Sequence, residues 1–177
     1  MKFFKPFEMP TIPEFPDYTV DIRDFGAVSG DGSNSAKSIN DAIKSCSASG
    51  GGKVIVPKGV WHTGAIHLQS NVNLHFEEGS EVHFSTEFTD YLPVVYGILG
   101  GNRCYSVSHF LYAYQCKNIA ITGSGTLNGH GEAWWHMRFQ QPGMEDLLKK
   151  GREGQPVSER VYDKPEDGVR PRMLQFV

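Results

Sequence analysis

Few stretches of this chain carry side chains of the right type and spacing for chemistry. His67, His75 and His83 recur every eight residues, and three imidazoles converging on one point would suit zinc. Each stands on the polar side of a strand-like stretch, opposite Ile66/Leu68, Leu74/Phe76 and Val82/Phe84. Successive strands of a stacked coil face different ways, so these histidines are expected to point outward and hold no metal. Gly50-Gly51-Gly52-Lys53 has the composition of a phosphate loop but not its order. That loop needs Gly-x-x-x-x-Gly-Lys-Ser/Thr between a strand and a helix, whereas here Val54 follows the lysine and a helical pattern comes first. Glu77-Glu78 is an adjacent carboxylate pair just ahead of Gly79, which reads as a solvated corner. Trp134-Trp135 offers indole faces that suit the C–H face of a saccharide ring, with core packing expected for at least one of them. Arg170 and Arg172 flank Pro171. Their guanidinium groups match carboxylates bidentately, and salt bridges to nearby acidic residues are the alternative. Cys46, Cys104 and Cys116 are an odd, sparse set that gives neither a disulfide framework nor a metal spacing, so burial as small hydrophobes is expected.

The elements that position these side chains are announced by a repeated phrase. Asn71-Val72-Asn73-Leu74 is followed by Gly79-Ser80-Glu81-Val82, and Asn118-Ile119-Ala120-Ile121 by Gly123-Ser124-Gly125-Thr126-Leu127. The asparagines are 118 − 71 = 47 residues apart and the glycines 123 − 79 = 44. A period of roughly 20–50 residues marks solenoids, propellers or arrays. Val72/Leu74/Phe76, Val82/Phe84 and Ile119/Ile121 alternate with polar residues, so the repeating unit is a strand. Stacked short strands with Gly and Asn corners predict a parallel β-helix, in which each coil buries its apolar row against its neighbours.

Residues 1–17, rich in Pro and Phe, read as an extended arm, and residues 18–177 as the solenoid. Ser33, Asn34 or Ser35 can cap a helix over about 35–48. Its stripe Ile39, Ala42, Ile43 and Cys46 would cover the open end of the first coil. Short strands are expected at Lys53–Val56, Trp61–Thr63, Ala65–Leu68, Val72–Phe76, Val82–Phe84, Phe110–Tyr114 and Ile119–Thr122, with residues 86–108 irregular. The β rhythm lapses over about 136–169, an insert with a short helix near Met144–Lys150. Arg170–Val177 then starts a strand that reads like Phe110-Leu111-Tyr112-Ala113. By that register a further Asn-Val/Ile copy comes next, so the chain is expected to be the N-terminal part of a longer solenoid, truncated and inactive by itself.

The 177 residues suffice for one domain with a sizeable core. The formal charge of 17 − 20 = −3 points to neither nucleic acid nor an anionic membrane surface as a partner. No apolar run is long enough to span a bilayer. Lys5 and Pro6 interrupt the opening residues, which do not read as a secretory signal, so a cytoplasmic location is expected. Oligomeric state is left open.

Several of these segments together resemble a known family. Asp24-Phe25-Gly26-Ala27 with Asp31-Gly32, Ser49-Gly50-Gly51-Gly52-Lys53-Val54-Ile55-Val56-Pro57-Lys58-Gly59, and Gly79-Ser80-Glu81-Val82 look like the opening of pectin-acting β-helix enzymes. Residues 118–135, from Asn118-Ile119 through Asn128-Gly129-His130-Gly131 to Trp134-Trp135, resemble the Asn-Ile-x-Ile-x-Gly-x-Gly-x-Ile-Asp-Gly-x-Gly…Trp-Trp segment of glycoside hydrolase family 28, the polygalacturonases. The resemblance covers about 18–135 and resumes at 170–177. It implies a right-handed parallel β-helix of the pectate-lyase-like kind that hydrolyses α-1,4-galacturonosyl bonds of a pectic poly- or oligosaccharide, with inversion and without a cofactor. The family's Asn-x-Asp, Asp-Asp and Arg-x-Lys segments do not occur in this chain. Gly129-His130-Gly131 falls where the family has a structural corner, not its catalytic Gly-His-Gly. No catalytic residue is therefore carried over. Since galacturonate bears a carboxylate on every sugar, Trp135, Arg170 and Arg172 are the candidate substrate contacts, and the insert 136–169 would wall one end of a cleft and favour exo attack. A calcium-dependent β-eliminase of the pectate lyase type and a non-catalytic carbohydrate-binding or structural β-helix are the rival readings on the same fold.

Overall fold

The computed structural model describes residues 11–139 and 141–177. Residues 1–10 of the expected arm lie outside the described residues. The first rung is β1 (Thr19–Asp21), followed by α1 (Ala36–Ala48). The second coil holds β2 (Gly52–Val56), β3 (Gly59–Thr63) and β4 (Ile66–His67). The third holds β5 (Val72–Phe76) and β6 (Ser80–Phe84), an excursion through β7 (Val95–Leu99) and β8 (Asn102–Ser106), and then β9 (Leu111–Ala113). The fourth holds β10 (Ala120–Gly123) and β11 (Thr126–Asn128), a long insert with α2 (Pro142–Arg152) and β12 (Val161–Tyr162), and finally β13 (Leu174–Phe176).

Three parallel stacks result: β1-β2-β5-β10, β3-β6-β11 and β4-β9-β13. The molecule is a right-handed parallel β-helix. Its register aligns apolar side chains from coil to coil. Val54 lies beside Leu74 and Leu74 beside Ile121; Trp61 beside Val82 and Val82 beside Leu127; Ile66 beside Leu111 and Leu111 beside Leu174. Period-2 alternation turns each row inward, and Val54, Leu74, Val82, Ile66 and Leu111 are fully buried. Removing such a side chain costs both transfer energy and a cavity.

The 47-residue repeat is the step from the third coil to the fourth. Asn71 and Asn118 both adopt left-handed backbone conformations, with φ of 64° and 54°, and Asn118 Nδ2 donates to Asn71 Oδ1 at 3.3 Å. Gly51 occupies the same corner one coil earlier with φ of 105°. A Cβ there would collide with the carbonyl of Asn71. Helix α1 starts where Asn34 Oδ1 accepts the Ala36 N–H at 2.9 Å, which satisfies one orphan donor. Its stripe Ile39, Ala42, Ile43 and Cys46 is completely buried against β1, β2, β4 and β5.

Residues 86–108, expected to be irregular, contain instead the antiparallel hairpin β7–β8 closed at Gly100-Gly101. Leu99 and Cys104 face inward, while Ile98 and Arg103 face solvent. The tyrosines Tyr96 and Tyr105, which look irregular in sequence, are a cross-strand aromatic pair 5.7 Å apart. The insert is docked onto this hairpin: β12 pairs with β8, Leu147 is buried, and the Tyr162 hydroxyl donates to Asp146 at 3.0 Å.

Candidate functional site

Where the chain leaves β11, the backbone turns through His130 and enters a 3₁₀ segment, Gly131–Arg138. This turn puts the two tryptophans on opposite sides. Trp134 is buried and packs edge-on against Tyr91 at 5.7 Å, whereas Trp135 is 67% exposed. Trp135 borders a cleft of about 320 Å³ that Phe110, Asn128, His130, Arg170 and Met173 also line. Cys46 and Cys104 are buried, as small hydrophobes would be.

Arg170 reaches the cleft from the strand-side end of the insert. It is half-buried, its Nη1 is enclosed without a hydrogen-bond partner, and it takes part in no ion pair among the described residues. Arg172, also without an ion pair among them, is exposed and shares with Arg170 a smaller cavity of about 70 Å³ on the far side. The salt bridges to acidic residues considered for these arginines are thus not formed among the described residues. Arg170 and Trp135 come together in one cleft, and Arg172 lines the other cavity instead.

What fixes this segment is His109. Its Nε2 lies 2.8 Å from Gln175 Oε1, and its Nδ1 accepts the Arg172 backbone N–H at 3.1 Å. That pairing needs a neutral imidazole with the hydrogen on Nε2. Burial drives the His109 pKa down to about 4, with the Arg172 charge adding to the effect against the opposing Gln175 hydrogen bond. Gln175 passes the tie on by donating from Nε2 to the Ile98 carbonyl at 2.7 Å. A buried, uncharged histidine therefore holds the arginine segment against β9 and the hairpin.

The chemistry of Trp135 and Arg170 suits contact with a substrate. An exposed indole offers an apolar plane, and a guanidinium donates N–H hydrogen bonds to a carboxylate. Arginine stays protonated and cannot act as a general acid or base. Glu77 and Glu78 stay in a solvated turn, where Glu77 Oε2 accepts the Lys58 N–H at 3.4 Å.

The histidines at eight-residue spacing do not converge. His67 Nε2 lies 2.9 Å from Ser108 Oγ, His75 Nδ1 lies 2.7 Å from Thr122 Oγ1, and His83 Nδ1 lies 3.1 Å from His130 Nε2. No group of three His, Cys, Asp or Glu among the described residues is arranged to enclose a metal ion. What sequence reading missed is the stacking of histidines along the coil axis. His62 and His83 are in register on β3 and β6, and His130 follows β11. The available signal was the repeat itself, because 130 − 83 = 47. Beside this column lies a cavity of about 460 Å³ bordered by Asn34, His62, Thr63, Thr86, Asp90 and His130. No helix among the described residues is long and apolar enough to cross a membrane.

No protein-family model matches the chain. The chain is similar to the crystal structure of a hyperthermoactive exopolygalacturonase from Thermotoga maritima, with 37% identity and a TM-score of 0.88, over 94% of this chain and 40% of that one. It is also similar to a family 28 exopolygalacturonase of Yersinia enterocolitica, with 29% identity and a TM-score of 0.56, over 64% of this chain and 21% of that one. A probable polygalacturonase of Vitis vinifera is 26% identical over 147 residues, 74% of this chain and 30% of that protein. The chain therefore spans less than half the length of each of these proteins.

Proposed function

We propose that this chain, a relative of the family 28 polygalacturonases over the stretch it spans, serves in the hydrolysis of α-1,4-galacturonosyl bonds of a pectic chain and supplies coils that grip a uronate beside the cleaved bond. One observation carries the reading: an exposed Trp135 and an Arg170 free of ion pairs among the described residues share one cleft. The indole stacks on the sugar ring while the guanidinium takes the C6 carboxylate in two parallel hydrogen bonds. Such groups position a substrate, and inverting hydrolysis would further need two carboxyl groups ~6.5–9.5 Å apart. The Asn-x-Asp and Asp-Asp segments expected to supply them do not occur in this chain. The insert 136–169, docked on β8 through β12, is the element proposed to favour attack from a chain terminus, in keeping with the exopolygalacturonases the chain resembles.

The test is reducing-sugar release from polygalacturonate by the protein that carries this chain, with and without a chelator. Chelator-insensitive release of saturated galacturonate is expected. Unsaturated, ultraviolet-absorbing products that vanish with chelator would replace hydrolysis by β-elimination, and no products at all would leave a binding module. Deleting 140–165 is expected to shift monomer release toward longer oligomers, and an unchanged product pattern would remove the exo assignment.

A further inference from the structure

A column of imidazoles runs along the outside of the β3-β6-β11 stack. The rings of His62 and His83 lie 5.4 Å apart at 27°, and those of His83 and His130 lie 5.2 Å apart at 28°. Within the second pair, His83 Nδ1 and His130 Nε2 are 3.1 Å apart. The outer nitrogens face carboxylates: His83 Nε2 is 3.7 Å from Glu81 Oε2, and His130 Nδ1 is 3.7 Å from Glu132 Oε1. The order Glu81, His83, His130, Glu132 is thus a near-symmetric chain whose inner nitrogens touch and whose carboxylates stand just beyond hydrogen-bond distance of the outer ones. His130 holds its place at some cost, with φ of 45° in the left-handed region, where its N–H donates to Asn128 Oδ1 at 2.9 Å. Strained non-glycine residues of this kind gather at functional sites.

Hydrogen counting shows what the middle lacks. A neutral imidazole has one hydrogen for two nitrogens. If His83 donates inward from Nδ1, its bare Nε2 faces Glu81; if His130 donates inward from Nε2, its bare Nδ1 faces Glu132. No neutral pair that keeps the inner hydrogen bond points N–H groups at both carboxylates. A divalent cation between the inner nitrogens would instead let both rings offer lone pairs inward and turn N–H groups toward the carboxylates. Carboxylates placed behind the rings in this way are the usual support of metal-bound histidines. The spacing suits it as well. Two nitrogens 3.1 Å apart, each about 2.0–2.1 Å from an ion, subtend roughly 100°, between square-planar and tetrahedral values.

We propose that His83 and His130 form a two-nitrogen site for a borderline divalent cation, with Glu81 and Glu132 behind the ligands and water from the adjoining 460 Å³ cavity completing the coordination. Imidazole donors select Cu(II), Ni(II) or Zn(II), with Cu(II) held tightest. The surrounding Glu81, Asp90 and Glu132 favour a cation over an anionic ligand. The site shares His130 with the lining of the uronate cleft but uses neither Trp135 nor Arg170.

The test is calorimetric titration of the full chain with CuCl₂, NiCl₂ and ZnCl₂ at neutral pH, together with electron paramagnetic resonance of the Cu(II) form. One equivalent of Cu(II) with two coupled nitrogens is expected, with affinity at least tenfold weaker in His83→Asn and in His130→Asn and unchanged within twofold in His136→Asn. His130→Gly, which suits the left-handed backbone, gives the same loss without disturbing the turn and stands in if His130→Asn misfolds. Absence of binding, or affinity that survives these substitutions in folded protein, would overturn the proposal.

Discussion

At the scale of single residues, His109 sets a pH dependence. Its ordinary pKa near 6.5 falls to about 4 in the fold because burial disfavours the charged ring. Between those values the unfolded chain binds the proton and the folded chain does not, so stability is complete above pH 6.5 and drains away as pH falls toward 4. The shift corresponds to about 3 kcal/mol. Chemical denaturation from pH 7 to pH 4 is expected to show this slope, and His109→Gln to flatten it; an unchanged slope in the variant would place its origin elsewhere. Arg170→Ala is expected to weaken oligogalacturonate binding by roughly 10–100-fold, the worth of charge-assisted hydrogen bonds of about 1.5–3 kcal/mol, while Arg170→Lys retains part of the affinity. The types at the cleft, an indole and a guanidinium group, were visible in the sequence. Which tryptophan faced solvent was not, because the 3₁₀ segment that separates Trp134 from Trp135 has no hydrophobic period to reveal it. The His83–His130 pair was hidden for another reason: its members are neighbours only through the coil period, which sequence reading applied to asparagines and not to histidines.

At the scale of elements, the corners decide the stack. Gly51 combines φ of 105° with a Cβ position blocked by the Asn71 backbone, so Gly51→Ala is expected to cost about 2 kcal/mol or more and to lower the midpoint of thermal unfolding. Gly101→Ala, with φ of 81° but open space around it, serves as the comparison and should cost less. Equal losses would mean that strain and not the close approach of coils governs the corner. The strands of the stack were legible because their alternation has a period of two and their corners carry Gly or Asn. The hairpin β7–β8 escaped notice because Gly97 and the polar residues Asn102 and Arg103 break its alternation, and its strands pair with each other outside the main stack until β12 joins them. That excursion also explains the unequal spacing of the coils. Val54 to Leu74 is 74 − 54 = 20 residues, while Leu74 to Ile121 is 121 − 74 = 47, although both pairs are in register.

At the scale of the whole molecule, the two ends of the solenoid differ. Helix α1 covers one. At the other, β10, β11 and β13 each pair on one side alone, and Leu174 and Phe176 are half exposed. Unpaired parallel edges with apolar side chains promote association, so the chain is expected to show concentration-dependent self-association in sedimentation velocity, suppressed by Leu174→Lys. A species that stays monomeric at all concentrations would mean that this end is less adhesive than its exposure implies. The measurement that bears most directly on the cleft is titration of the folded chain with trigalacturonate, followed by Trp135 fluorescence, beside the neutral galactose trisaccharide. Binding of the uronate alone, weakened at least tenfold in Arg170→Ala and without its fluorescence signal in Trp135→Phe, is the expected result; equal binding of the neutral sugar, or an affinity indifferent to Arg170, would contradict it.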